Sequence, residues 1–350
     1  MNVLITGGAG FIGSHLTDYF LAEGHEVTVI DDLSTGSINN LRSAKKSPAF
    51  EFQLDTIFNR SLLGELVDGA DLIFHLAAAV GVRNIVESPV RTIKTNVGGA
   101  EAVLEAAAKK NKRVLIASTS EVYGKSSTFP FREDDDLVLG PTSKARWSYA
   151  CSKMVDEFLA LAYYRERNLP VTVVRLFNTV GPRQTGRYGM VLPTFVQQAL
   201  HDEAVTVFGL GEQSRCFTHV ADVVHGLAQC AATDCTAGHV FNLGSAEEVT
   251  MNALAAKVIK AAGSASAIRH VSYEEAYGVG FEDMERRVPD TSKARQYFGY
   301  TPRHSLCSIV TSVIDYYREG TAGLIPHEPP AQPLNLPSQL FPATLSSTDA

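Results

Sequence analysis

Tyr149 and Lys153 stand four residues apart in Trp147-Ser-Tyr-Ala-Cys-Ser-Lys. In a helix this spacing puts both side chains on one face. An ammonium beside a phenol lowers its pKa, so that the phenol can exchange a proton with an alcohol. The same ammonium can hold a ribose. Upstream, the apolar run from Arg113 to Ala117 ends in Ser118-Thr119-Ser120-Glu121. The Thr119 hydroxyl then stands at the carboxyl end of a strand, where it can hydrogen-bond the same substrate hydroxyl. Together these groups suit removal of a proton from an alcohol oxygen while hydride leaves its carbon. That chemistry needs a hydride acceptor held beside them.

The first fifteen residues read as the holder. Met1 to Ile5 is apolar apart from Asn2, and Thr6-Gly7-Gly8-Ala9-Gly10-Phe11-Ile12-Gly13 follows. Apolar positions then recur at Phe11, Ile12, Leu16, Phe20 and Leu21, the spacing of a helix face. Gly7 permits a tight turn, Gly10 lets backbone approach a pyrophosphate, and Gly13 lets helix pack on strand. The helix start offers N–H groups to phosphate. A second strand, Val27 to Ile30, ends in Asp31-Asp32, with Asp31 eighteen residues past Gly13. A carboxylate there holds the adenosine ribose and disfavours a 2′-phosphate, which points to NAD over NADP. The polar turn Leu33-Ser34-Thr35-Gly36 would wrap the adenosine end.

These groups need a parallel sheet behind them. Phe50 to Leu54 reads as a third strand ending at Asp55. Leu72 to His75 reads as a fourth, running into Leu76-Ala77-Ala78-Ala79, small residues that leave room for a cofactor. His75, alone in an apolar strand, reads as a satisfied core residue. Long helices are expected over about 88–110, carrying Asn96, and about 147–167. Val171 to Leu176 makes a sixth strand. Alternating strands and helices specify an α/β fold, a Rossmann-type doubly wound parallel sheet. Residues 125–145 are polar and turn-rich and read as a surface loop. Beyond Gly181 the chain is punctuated by Gly and Pro, with a helix over Phe195–Leu200, strands at Val205–Phe208 and Val240–Leu243, and helices at about 217–232 and 253–262. The expected organisation is an NAD-binding domain over 1–180, to which the chain returns around 217–245. A smaller substrate-binding cap follows over 181–325, and then an extended or disordered tail over 326–350.

Composition narrows the classes. The 350 residues carry a net charge of −7 and no Lys/Arg run, which argues against nucleic acid as a partner. No apolar stretch is long enough to span a membrane, and an N-terminus that reads as a strand is not expected to be a signal peptide. Cys151, Cys216, Cys230, Cys235 and Cys307 lack metal-ligand spacing. They read as small buried hydrophobes in a reducing cytoplasm, with no metal expected.

Gly7, Gly10, Gly13, Asp31, His75-Leu-Ala-Ala, Asn96, Thr119, Tyr149 and Lys153 together resemble the extended short-chain dehydrogenase/reductase family of nucleotide-sugar epimerases, dehydratases and decarboxylases. The resemblance spans about residues 1–310. It continues in Phe177-Asn178, in Gly181-Pro182-Arg183, in Gly209-x-Gly211-x-Gln213-x-Arg215-x-Phe217 and in Arg287-x-Pro289-Asp290. It implies NAD held by the glycine turn with Phe11 and Ile12, by Asp31, Asp32, Ser34, Thr35 and Gly36, by Asp55, by Leu76, Ala77 and Ala78, and by Asn96, Tyr149 and Lys153. It implies a UDP-sugar substrate contacted by Arg83, Ser120, Asn178, Val191, Gln213, Arg215 and Arg287. It also implies a homodimer through the two long helices, with Ala102, Leu104, Ala106, Ala107, Phe158, Leu159 and Leu161 as candidate apolar surface. The shared chemistry is oxidation at C4 of the sugar, with Tyr149 taking the hydroxyl proton as hydride moves to nicotinamide.

Glu121 separates the family's activities. Simple 4-epimerases usually carry a small or hydroxylic residue there. Thr-Ser-Glu resembles the 4,6-dehydratases and the UDP-glucuronate decarboxylases. Arg146-Trp147-x-Tyr149 and Arg215-Cys216-Phe217-Thr218 look most like the decarboxylases, in which Glu121 and Arg215 would flank C5. A guanidinium there can bind a C6 carboxylate by a fork of hydrogen bonds or bind phosphate instead. The expected activity is decarboxylation of UDP-glucuronate, with 4-epimerisation or 4,6-dehydration as alternatives. The expected catalytic set is Thr119, Glu121, Tyr149, Lys153 and Arg215.

Overall fold

The computed structural model describes residues 1–186, 189–277 and 282–320, with the backbone alone at 83, 84 and 277. The expected tail lies outside them. Seven strands form one sheet in the order Val240–Leu243, Val171–Leu176, Arg113–Thr119, Leu72–His75, Asn2–Thr6, Glu26–Asp31, Phe50–Leu54. Every pairing is parallel. A parallel sheet covered on both faces must be apolar throughout, and Val3, Leu4, Ile5, Val114, Leu115 and Ile116 are all buried. On one face Leu16 and Phe20 of helix Phe11–Ala22 meet Val223 and Leu227 of helix Val220–Ala232. On the other, helices Arg60–Gly69, Pro89–Lys109 and Trp147–Arg167 bury Leu63, Val67, Val103, Leu104 and Ala160. The strand order reverses beside Asn2–Thr6, which opens a crevice at the strands' carboxyl ends.

Both long helices fall where their spacing placed them. Val240–Leu243 rejoins the sheet as expected, in parallel register with Val171–Leu176. The second half builds another apolar cluster from helices Val191–Leu200, Met251–Ala262 and Leu306–Glu319. The last of these was not expected. Ser305 caps it by accepting from the Ser308 N–H, and Leu306, Ile309, Val310, Val313 and Ile314 face inward. Among the described residues three short strand pairs join this half: Val205–Phe208 with Ile268–Val271, Ser214–Cys216 with Glu248–Thr250, and Thr179–Val180 with Thr218–His219.

Three expectations need correcting. The 125–145 segment lies on the surface only in part, because Phe131 is fully buried, stacked on Tyr123 at 4.5 Å and packed with Trp147 and Phe177. Its backbone pairs with a later segment: Phe131 N–H donates to Val288 O, and Asp290 N–H donates to Phe131 O, both at 2.8 Å. Only Cys216 and Cys230 are buried. Cys151, Cys235 and Cys307 are exposed, and all five are free thiols. Finally, Ala102, Leu104 and Ala107 are core, with Ala106 and Leu159 packed against them. The large hydrophobic side chains these helices do expose are Val90, Ile93, Val155, Phe158 and Tyr164, with Phe158 67% exposed.

Candidate active site

The crevice is a cleft of about 1070 Å³ that runs from the glycine turn to the ends of strands Arg113–Thr119 and Val171–Leu176. Gly7, Gly10, Phe11, Ile12 and Gly13 line one end. A Cβ on Gly13 would stand 2.4 Å from Gly7 O, and one on Gly7, at φ +74°, 2.7 Å from Ala77 N. Only glycine fits at either position. The helix that starts after Gly10 has no side-chain cap, so its N-terminus remains available to an anion. The space that side chains would fill is the cradle a pyrophosphate requires.

Asp31, Asp32, Ser34, Thr35, Gly36 and Asp55 line the adenosine end. Asp31 is buried. Its Oδ2 accepts from Ala9 N–H at 3.0 Å and its Oδ1 from Leu33 N–H at 2.8 Å. The carboxylate therefore fastens the glycine turn to the next strand end. Each oxygen keeps a lone pair for a ribose hydroxyl. Burial raises its pKa, and these backbone donors oppose the shift. Asp55 organises its own turn, accepting from Thr56 N–H at 2.7 Å and Asn59 Nδ2 at 2.8 Å. Leu76, Ala77 and Ala78 form the floor. Asn96 acts from behind it and is not in the lining. Its Oδ1 accepts from Ala79 N–H at 2.8 Å and its Nδ2 donates to Ser152 Oγ at 3.0 Å, which ties the small-residue floor to helix Trp147–Arg167. His75 is buried and its Nδ1 meets Thr6 Oγ1 at 2.8 Å, while its Nε2 lacks a partner among the described residues. The expectation of full satisfaction is met on one side of the ring only.

Thr119, Ser120, Glu121, Tyr149 and Lys153 converge on the cleft's middle. The Tyr149 hydroxyl hydrogen-bonds Thr119. Thr119 Oγ1 also accepts from Glu121 N–H at 3.2 Å, which caps the short 3-10 turn Ser120–Tyr123. The expected lowering of the phenol pKa is not found. Burial raises it, the Glu121 charge raises it further, and the Thr119 bond only opposes this. Asp156 adds to the rise, and it also pairs the Lys153 ammonium, 2.7 Å from its Oδ2, both groups being buried. The ammonium's charge is already answered by a carboxylate.

Beyond Tyr149 the cleft ends in a cluster of charge. Arg146 binds Glu121 Oε2, and Arg287 reaches Oε1 at 3.4 Å. Burial alone would push the Glu121 carboxyl up, yet Arg146 and then Arg287 bring it below its usual range. Arg287 is set there by the Phe131 pairing, two residues before Pro289, and Asn242 Nδ2 locks that pairing by donating to Phe131 O and Asp290 O. Here the structure corrects the sequence reading. Arg287, not Arg215, is the guanidinium that lines the cleft beside Glu121. Arg215 is buried behind it on strand Ser214–Cys216, donating to Asp283 Oδ2 at 2.8 Å and to the carbonyls of Ser214 and Glu285. Burial, then repulsion from Arg287, lowers its pKa to about 10. Val191 packs into the second cluster, and Met190 takes its place in the lining. Gln213 donates to Phe208 O at 2.9 Å and lies outside the lining, whereas Asn178 is part of it. The Arg83 side chain is outside the described residues. Sequence reading missed Asp283 altogether and gave Arg146 no role. Arg146 lay in a quoted motif, while Asp283 carried no signal short of its contacts.

Residues 4–313 match the family model described as GDP-mannose 4,6 dehydratase. The chain is 41% identical over 319 residues to a UDP-N-acetyl-alpha-D-glucosaminuronate decarboxylase of Bacillus cytotoxicus, covering 90% of this chain and 97% of that one. It is 36% identical over 317 residues to UDP-glucuronic acid decarboxylase 1 of Xenopus tropicalis, covering 91% and 72%. Among solved structures, UDP-glucuronic acid 4-epimerase of Bacillus cereus, in complex with UDP-glucuronic acid and NAD, superposes with a TM-score of 0.82 at 28% identity, over 91% of this chain and 99% of that one. The chain belongs to the GDP-mannose 4,6-dehydratase family of the extended short-chain dehydrogenases/reductases, enzymes that act on nucleotide sugars.

Proposed function

We propose that this enzyme uses NAD to decarboxylate a UDP-linked uronate through a 4-keto sugar, with UDP-glucuronate as the substrate. The observation that carries this reading is one cleft holding both the Tyr149–Thr119 hydrogen bond and the Glu121–Arg287 ion pair. Both curated relatives named above are decarboxylases of UDP-uronic acids, one with an N-acetyl group on its sugar. The glycine turn, Asp31 and Lys153 would hold NAD, which when bound supplies the hydride acceptor and a positive ring that favours the phenolate. Tyr149 takes the C4 hydroxyl proton, and Thr119 steadies the same oxygen. A ketone at C4 is β to the C6 carboxylate, so the C5–C6 bond can break with its electron pair passing to the C4 oxygen. Tyr149 and Thr119 hydrogen-bond that oxygen as it gains charge. Carbon dioxide leaves, and a proton returns to C5 from water ordered by Arg287 and Glu121. Purified enzyme with NAD should release carbon dioxide from UDP-glucuronate. An isobaric epimer as sole product, or loss of water from a UDP- or dTDP-hexose alone, would replace this reading by 4-epimerisation or 4,6-dehydration.

Gly13→Ala is expected to weaken NAD binding at least about tenfold and to destabilise the fold by roughly 2 kcal/mol, because backbone must move to admit the Cβ. Titration calorimetry with NAD and a thermal melt check both. A homodimer through the two long helices is supported by exposed Val90, Ile93, Val155 and Phe158. Phe158→Glu should give monomers in sedimentation. A dimer that persists in this variant would move the interface elsewhere. A substrate cap over 181–325 is supported by its separate apolar cluster, and a reducing cytoplasm by the five free thiols.

A further inference from the structure

The charge cluster at the sugar end is not balanced. Three guanidiniums (Arg146, Arg215, Arg287) face two carboxylates (Glu121, Asp283), all five with side chains no more than 22% exposed. Asp283 is the shared member. Its Oδ2 accepts from Arg215 at 2.8 Å, and its Oδ1 lies 3.4 Å from Arg287 and 3.7 Å from Arg146. Tyr273 also bonds it. Arg287 is the loosest of the cations. Both its ion pairs are 3.4 Å long, it is 8% exposed, and its Nε has no partner among the described residues, though it borders the cleft. Three positive charges and two negative leave one in excess, and an uncompensated buried charge is costly until an anion joins it.

We infer that Asp283 is a specificity-determining residue that sets this excess at one, so that the sugar end is complementary to a single carboxylate. It pairs Arg215 at 2.8 Å and Arg287 only at 3.4 Å, so the excess charge falls to Arg287 at the cleft. Without Asp283 the excess would be two. A uronate would then bind more tightly in its ground state, while its carboxylate, which must depart as neutral carbon dioxide, would be held back. With Asp283, the substrate's charge is answered without being trapped. A neutral UDP-hexose gains nothing from the excess in either case.

This inference rests on the proposed decarboxylation, and its test separates the two. Dissociation constants for UDP-glucuronate and UDP-glucose are measured on NAD-loaded full-length protein in a Tyr149→Phe background, where substrate is not consumed. The ratio of the two constants reports charge selection. Asp283→Asn should raise the preference for UDP-glucuronate by about tenfold, the effect of one partly screened charge a few ångströms away. Arg215→Gln should lower it by a similar factor, and the double variant should return it to the parent's value. With Tyr149 restored, Asp283→Asn should lower both KM and kcat for UDP-glucuronate. Asp283→Glu should keep the parent ratio and guards against a folding defect. Ratios that ignore the charge count while the parent still prefers and decarboxylates UDP-glucuronate would overturn the role of Asp283 alone. A parent without preference for UDP-glucuronate would overturn both.

Discussion

Tyr149→Phe is expected to lower kcat by roughly a thousandfold, the range for loss of a positioned acid–base group, and to leave NAD binding nearly intact. The ring still fills its buried place and only the hydroxyl bonded to Thr119 is lost. Measuring kcat beside a titration with NAD separates chemistry from cofactor binding. Because the phenol sits above its ordinary pKa, and Glu121 contributes to that shift, Glu121→Gln should move the acid limb of the kcat–pH profile to lower pH. Arg146, at the N-terminal cap of helix Trp147–Arg167, contributes charge of the other sign. Asp156, from the same helix, adds to the effect of Glu121. A Tyr149→Phe enzyme with full turnover would remove the phenol from the reaction.

Arg287→Ala is the second large effect. Among the described residues Arg287 is the one guanidinium that both lines the cleft and meets Glu121. Loss of a preorganised charge of this kind costs on the order of 10²–10³ in rate. We expect KM for UDP-glucuronate to rise and kcat to fall together, since the same side chain would bind the C6 carboxylate and order the water that protonates C5. Arg287→Lys restores the charge and lacks the fork, so it should recover only part of the activity. Arg215→Ala should act differently. Arg215 is sealed behind Asp283, so its loss should destabilise the fold by about 3 kcal/mol, as breaking a buried pair does, and disturb activity only through Asp283. A melt and a kcat/KM measurement on the two alanine variants discriminate these roles.

The cofactor end was legible because its signals are local. A glycine turn between strand and helix, an acid at the next strand end and small residues after Phe74 each state a steric need within a few positions. The long helices were legible from apolar periodicity. The sugar end was not, because it is assembled from distant parts. Arg287 meets Glu121 only through backbone pairing of Phe131 with Val288 and Asp290, a contact that no spacing encodes. The place of Arg215 has the same cause, since it and Arg287 both lie in family-like motifs and only Arg287 reaches the cleft lining. The raised phenol has the same origin, since burial raises it first and the Glu121 charge, brought from another strand end, raises it next. Helix Leu306–Glu319, by contrast, was readable from its Ser305 cap and inward apolar positions and was overlooked.

The central claim is that C4 oxidation at Tyr149 leads to loss of the uronate carboxyl. UDP-glucuronate carrying ¹³C at C6, incubated with enzyme and NAD in D₂O, tests it most directly. Labelled carbon dioxide and one deuterium at C5 of an unlabelled UDP-pentose product are expected. Label retained in the nucleotide sugar, with or without deuterium at C5, would contradict it.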